Sequence, residues 1–523
     1  MTEPSRTRNA GRNLLFGELL KFYQIIMPFI LRTCMIYFMG IEYLGLSSLF
    51  VSILQVLNLA ELGVGSAMVY SMYKPISEQD YPTICALLKL YRRYYRIIGA
   101  VVAVMGLLLL PVVPHLVKGS IPHGLSLQVL YLLNLGATVL SYWLFAYKTS
   151  LLQAHQRSDM ISRVTLATNT LMYVCQIAII VVVKDFYLYV MATLITQILT
   201  NVAGAVCATR LYPHLKPIGA LKKEQIGIIN QRIRDLFTSK IGAAVLSAGN
   251  TLVISVFLGL TVLAIYQNYY FIVVWVSSIV GVAFTACVAG IGDSIVTEST
   301  EKNFKDLRKF TFILTWIIGF FTCCILCLCQ PFMEIWVGNS LMLEFPAVVF
   351  FAVYFFVFNI NLLLSTYKDA AGIWHEDRFR PLATSIFSIL LSLLFVNPFG
   401  VYGVALATPL SQLVIAVPWL LRNLFTYLFE PSMLKMYLAK IGYYTVLMIA
   451  GCILCYTICR IPALPPMQTL IFRALVCFVV YNCFYFALTY RLEDFRSSLA
   501  TIKFMTKGKI GFLDTLSNRL NKQ

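Results

Sequence analysis

A chain of 523 residues that is 59% hydrophobic and only 12% charged, with a mean hydropathy of +0.79, has more apolar surface than a soluble core can hide. Lipid is the expected solvent. The net charge of +18 does not point to nucleic acid, because the 41 Lys and Arg divide between loops as membrane topology requires.

Apolar runs long enough to cross a hydrocarbon core of about 30 Å occupy 17–39, 44–71, 94–114, 125–147, 162–183, 186–209, 236–258, 262–290, 309–332, 346–366, 381–396, 401–421, 437–459 and 468–489. They predict an all-α polytopic membrane protein with about fourteen transmembrane helices, since a closed barrel would need alternating ten-residue strands. Run 381–396 is short, which suits a tilted or re-entrant segment. The first run carries Lys21 and Arg32 and reads as a retained helix rather than a cleaved signal.

With the N-terminus placed in the cytoplasm, nearly all basic residues fall on inner loops. Lys118, Lys184 and Arg460 lie outside, and Lys21, Arg32, Lys240 and Arg473 lie within or at the edges of spans. Both termini are therefore expected in the cytoplasm of a multi-pass protein. Arg473, at the start of the last span, is read as snorkelling.

The longest polar break near mid-chain is 210–235, with six spans before it and six after. YKTSLLQAH (Tyr147 to His155) returns as YKDAAGIWH (Tyr367 to His375), 220 positions later. Each Tyr-Lys pair closes the fourth span of its half. Lys21 matches Lys240 at an offset of 219, and Gly40 matches Gly259. The expectation is two six-helix halves in parallel repeat plus a C-terminal helix pair. The expected domains are 1–215, 216–425, 426–490 for the extra pair, and 491–523 as a basic tail, either an amphipathic surface helix or disordered.

Charges inside spans cost about 2.5–3.5 kcal/mol each on insertion scales, so a chain that keeps them compensates them. Lys21 and Arg32 are eleven residues apart and share one helix face. Asn58 and Glu61 form a second polar stripe, and Asn250 and Asn268 add polar groups to later helices. One reading is a cationic, water-filled cavity between the halves with Lys21, Arg32, Lys240, Asn58, Asn250 and Asn268 as substrate-binding residues; the other is snorkelling and local pairing. Lys148 and Lys368 lie nearer the cytoplasmic mouth and chiefly set topology; His155 and His375, beside them, could gate or titrate.

Catalytic and metal patterns are missing from the linear sequence. There is no GxxxxGK[ST], HED (His375 to Asp377) lacks metal spacing, and GVGSA (Gly63 to Ala67) reads as close helix packing. The cysteines of FTCCILCLC (Phe321 to Cys329), with Cys452, Cys455 and Cys459, read as small hydrophobes, because no His or carboxylate joins either run.

The segment YLGLSSLFVSILQVLNLAELGVGSAMVYSMYKPI (43–76), with YLGL at its start, ELG around Glu61 and YKP from Tyr73 to Pro75, resembles bacterial polysaccharide flippases of the Wzx type. The span count and repeat are similar to the wider multidrug/oligosaccharidyl-lipid/polysaccharide exporter superfamily. The resemblance covers residues 12–490 and rests on architecture after 300. It implies a non-enzymatic flippase without cofactor in the bacterial inner membrane. Such a flippase moves undecaprenyl-pyrophosphate-linked oligosaccharide to the outer leaflet for capsule, exopolysaccharide or O-antigen, by alternating access. Partners would be membrane lipid, a polysaccharide polymerase and glycosyltransferases. The basic residues of the family's cavity carry over onto Lys21, Arg32 and Lys240, and Glu61 is the candidate coupling carboxylate.

Three other readings stay open. A lipid II flippase and a cation-coupled multidrug exporter belong to the same superfamily, although a basic cavity suits cationic drugs poorly. A membrane glycan polymerase or acyltransferase would usually need a large outer loop bearing paired acids or His. The longest outer loop here, near 333–345, holds only Glu334 and Glu344.

Overall fold

The computed structural model describes residues 3–61, 63–118, 121–122, 124–462 and 464–498, without the side chains of 3–11, 14, 60, 146, 235, 238–240, 243, 247 and 282–290. The tail 499–523 lies outside the described residues. These contain helices and no strand. Helices satisfy each backbone donor and acceptor within one segment, which a solvent without hydrogen-bonding groups demands.

In chain order the helices are α1 (Glu3–Phe38), α2 (Ile41–Leu57), α3 (Val64–Ser77), α4 (Tyr81–Leu109), α5 (Leu127–Trp143), α6 (Ala146–Ala154), α7 (Ser158–Ala178), α8 (Phe186–Leu211), α9 (Lys223–Leu258), α10 (Leu260–Thr297), α11 (Thr300–Val337), α12 (Phe345–Ala370), α13 (Arg380–Ser411), α14 (Val417–Tyr427), α15 (Pro431–Cys459), α16 (Pro466–Val476) and α17 (Asn482–Thr489). Among the described residues, nine helical stretches are long and apolar enough to cross a bilayer, and ten if α5 and α6, bent by 54°, form one span. Each of the predicted runs overlaps helix, although 125–147 crosses the bend between α5 and α6 and 94–114 runs past the end of α4. Large apolar side chains stay exposed along these helices, including Val182, Leu108 and Phe478, a surface that only lipid would cover. The protein is a multi-pass membrane protein.

Helix starts are set by short polar side chains. Asp80 accepts from the Thr83 amide (3.1 Å) at α4, Asp185 from Leu188 (3.0 Å) at α8, and Ser299 from Lys302 (3.3 Å) at α11. Each satisfies a donor that the first turn leaves open.

The chain divides into two compact units, Met1–Ala264 and Ile265–Gln523. In the first, α1 packs along α7, α7 on α8, α8 on α5, and α4 on α3 and α5. This unit also includes α9, which packs on α2 and α3, so the division falls one helix beyond the expected boundary at 215/216. Arg232 of α9 lies over the Tyr70 ring (4.6 Å), and Asn230 accepts from the Tyr94 hydroxyl (2.6 Å). In the second unit α11 is central, packing on α12, α15 and α16, while α12 packs on α13 and α14.

The expected short run 381–396 proves to be one arm of a helical hairpin. Secondary structure is continuous from Arg380 to Ser411, yet Gly400 breaks it with φ 59° and ψ −138°. The Ser388 and Thr408 hydroxyls stand 3.3 Å apart. Twenty residues of straight helix would separate them by about 30 Å, so the chain reverses at Gly400. That backbone geometry is open essentially to glycine alone.

Candidate functional site

The first helix places Lys21 and Arg32 differently. The Lys21 ammonium is met by Glu18 one turn earlier (3.0 Å) on an exposed stretch. A local carboxylate therefore neutralises it, leaving less charge for an anionic ligand than its sequence position suggested. Arg32 is half-buried and lies within electrostatic reach of Tyr189 on α8, whose hydroxyl also interacts with Ser47 of α2. Three helices of one unit thus meet around the guanidinium.

The second span is interrupted where the polar stripe was expected. Asn58–Glu61 is a 3-10 turn, and Gly63 follows in the left-handed region at φ 90°. A β-carbon on Gly63 would stand 2.8 Å from the Leu236 side chain and 3.0 Å from the Ile233 carbonyl, so the break lies directly against α9. GVGSA is packing, as its sequence suggested. The interruption turns Glu61 into a set of tyrosines: its carboxylate accepts from the Tyr95 hydroxyl, which in turn accepts from Tyr91 (3.0 Å). Tyr142 interacts with Glu61 and donates to Asn58 (2.9 Å). The Tyr95 ring meets Tyr91 and Tyr142 edge-on at 4.5 and 5.6 Å. Glu61 and Asn58 are thus brought together, bonded to groups that can donate or pass a proton.

Asn250 is buried in α9 and Asn268 in α10. They belong to different units and are described separately. Lys240 lies in α9, and its side chain is outside the described residues.

The recurring Tyr-Lys segment has a structural counterpart in each unit. Tyr147 and Tyr367 are both buried. Lys148 donates to the Thr209 hydroxyl (2.7 Å), and Lys368 pairs with Asp369 (2.5 Å) and Asp377 (3.5 Å). His155 is buried, its ring 4.1 Å from Tyr212 and its Nδ1 2.9 Å from the Leu151 carbonyl; His375 is exposed beside Arg378 (3.2 Å). Burial holds the His155 imidazole below its ordinary pKa, the Leu151 carbonyl opposes this, and His214 reinforces it.

Two carboxylates missed by the sequence reading organise these segments. Asp159 receives Arg12 (3.1 Å) and Arg157 (3.0 Å), while its amide donates to Asn13 (2.7 Å). Asp377 receives Arg380 through two parallel bonds (2.7 and 2.9 Å) and Asn423 at 3.4 Å. Both carboxylates are almost fully buried. The signal was available: each is the first Asp after the repeated His.

No protein-family profile matches this chain, and no curated protein does. Solved structures do. A lipid II flippase MurJ in an inward closed conformation superposes with a TM-score of 0.70 at 14% identity, covering 92% of this chain and 99% of MurJ. An inward-facing multidrug resistance MATE-family transporter of the MOP superfamily gives 0.60 at 14% identity, covering 80% of this chain and 99% of its own. This chain shares the fold of these two transporters. A further MOP transporter, from Pyrococcus furiosus and described as having a binding pocket of reversed polarity, gives 0.51 at 12% identity over 80% of this chain and 95% of its own. The MOP fold at these identities establishes architecture, and the neighbours that share it are transporters and flippases.

Proposed function

We propose that this protein is a flippase for undecaprenyl-pyrophosphate-linked oligosaccharide, working by alternating access in a bacterial inner membrane with both termini cytoplasmic. The observation that carries the reading is the length of the match. A lipid II flippase accounts for 92% of the chain, and a MATE transporter that is itself almost fully matched accounts for 80%. The resemblance of segment 43–76 to Wzx-type flippases supports the glycan. Such cargo joins an anionic pyrophosphate and a hydrophilic glycan to a long lipid. It needs positive charge at membrane depth and a lateral path for the tail.

In this reading Arg32 and Lys240 attract the pyrophosphate, with Asn58 and Asn250 as polar contacts of the same unit; Asn268 is a separate polar candidate in the second unit. Lys21, already engaged by Glu18, contributes less. Glu61 and its tyrosines couple transport to a proton or cation. Glycosyltransferases act before it and a polymerase after it. The protein performs no covalent chemistry.

Deletion of the gene, followed by complementation with the wild type, Arg32→Ala and Glu61→Gln, tests this. The wild type restores surface glycan; the variants, present at normal levels, leave lipid-linked oligosaccharide on the inner leaflet. Full surface glycan with both variants would overturn the site. The MurJ match favours a second reading, in which the cargo is lipid II. Rescue of a strain depleted of its lipid II flippase, without any change in surface glycan on deletion, would select it.

A further inference from the structure

The cysteines read as packing residues of separate helices come together in the second unit. Cys323 and Cys327 stand four residues apart on one face of α11, and Cys477 reaches them from the segment between α16 and α17. The three buried sulfurs lie within 4.8 Å of one another, with Cys323 and Cys477 at 3.8 Å. Cys459, buried at the end of α15, interacts with both Cys327 and Cys477. Two thiolates sharing a tetrahedral zinc at about 2.3 Å are held about 3.8 Å apart, the spacing of the Cys323–Cys477 pair.

Three further observations ask for more than packing. Cys477 opens a π-helical turn, Cys477–Tyr481, a distortion that helices carry mostly at functional sites. Tyr481, at the other end of that turn, is completely buried and within electrostatic reach of Cys452, Cys323 and Cys455. Its hydroxyl has no hydrogen-bond partner among the described residues. Arg473 donates to the Cys327 carbonyl (3.1 Å), and its Nε is buried without a partner among the described residues. An unused donor thus lies within electrostatic reach of Cys323, and a fixed positive charge lies against the Cys327 backbone, beside sulfurs that, as neutral thiols, are poor acceptors. Thiolates would satisfy both.

We propose that Cys323, Cys327 and Cys477 bind one thiophilic d10 metal ion, with Cys459 as the fourth ligand. The ion staples α11 to α15 and to the C-terminal helices. A divalent ion on four thiolates carries two net negative charges and a monovalent ion three; Arg473 offsets one within the apolar interior, so charge favours zinc(II) over copper(I). With the ion bound, the free Tyr481 hydroxyl, within electrostatic reach of Cys323, would serve as an outer partner to that ligand. Loading releases the thiol protons to solvent, so binding weakens on acidification.

The test uses the purified full chain in detergent. It is incubated with zinc(II) or, under reducing conditions, copper(I), then desalted and assayed for bound metal and for maleimide-reactive thiols. We expect about one ion per chain, protection of at least three thiols that a strong chelator reverses, and a higher melting midpoint with metal. Cys477→Ser should lose the ion and the midpoint shift, while Cys483→Ser, at an exposed site six residues on, should keep both. Either metal supports the site, and their competition identifies the preferred ion. If Cys477→Ser fails to fold, thiol protection in the wild type decides. Metal no higher than a metal-free control with no thiol protection, or a Cys323–Cys477 disulfide in freshly purified reduced-handled protein, would overturn the proposal.

Discussion

The Tyr95 hydroxyl donates to the Glu61 carboxylate, joining α4 to the break in the second span. Removing the hydroxyl leaves Tyr142 as the neighbour able to support Glu61. Hydrogen bonds to charged groups are worth about 1.5–3 kcal/mol in water-soluble proteins and average less in membranes. We expect Tyr95→Phe to cost about 1 kcal/mol in thermal unfolding and to change the pH dependence of transport. An unchanged pH profile in Tyr95→Phe would remove Glu61 from the coupling role.

Asp377 is the hub of the second repeated segment. Its removal leaves the largely buried Arg380 without its carboxylate, while Lys368 keeps only the half-exposed Asp369. Breaking a buried pair in this way costs about 3–5 kcal/mol. Asp377→Ala should therefore sharply lower the yield of folded protein, whereas Lys368→Met, which keeps the two-bond Arg380 contact, should be milder. Equal yields of the two variants in detergent, by size exclusion, would contradict the hub.

His155 predicts an acid-sensitive loop. Its folded pKa lies below the ordinary value because of burial, so between the two values the unfolded chain holds more protons. Stability is full above about pH 6.5 and falls as the pH drops below it. The groups around the ring are Tyr212, His214 and the Leu151 carbonyl. His155→Gln should flatten the melting midpoint between neutral and mildly acidic pH, measured against the wild type.

Asp494 behaves in the opposite chemical sense but with the same slope. Burial would raise its pKa. Hydrogen bonds from Tyr444 (2.6 Å) and Lys440 (3.0 Å), with Arg308 (2.7 Å), outweigh burial and hold it low. Its contribution is complete above the ordinary Asp value of about 3.9 and is lost as the pH falls through the lower folded value. Tyr444→Phe should move that acid transition upward in a denaturation titration followed by circular dichroism.

The fold was largely legible because lipid imposes one rule: an apolar run of sufficient length is a helix. The break after Leu57 was less so, since Asn58 and Glu61 look the same in sequence whether the helix continues or stops. Gly63 carries the decision through its contact with α9. In the candidate site, the repeat pointed to segments in which a second residue type, the first Asp after each His, gathers the buried charges. Histidine is rare in the chain and so conspicuous, while the buried charges gather on the less conspicuous Asp159 and Asp377. The cysteines were illegible for another reason: Cys323 and Cys477 are 154 positions apart, and only the packing of α11 against the C-terminal helices makes them neighbours.

Gly400 decides which compartment every later residue reaches. The helical stretch from Arg380 to Tyr427 has 48 residues. Built as a straight rod it would measure about 72 Å, more than twice the hydrocarbon thickness. By doubling back at one residue without a side chain, the chain returns to the face it left. A bulky substitution at that point threatens more than stability: it invites a mirror-image insertion in which α15 to α17 point the wrong way through the bilayer.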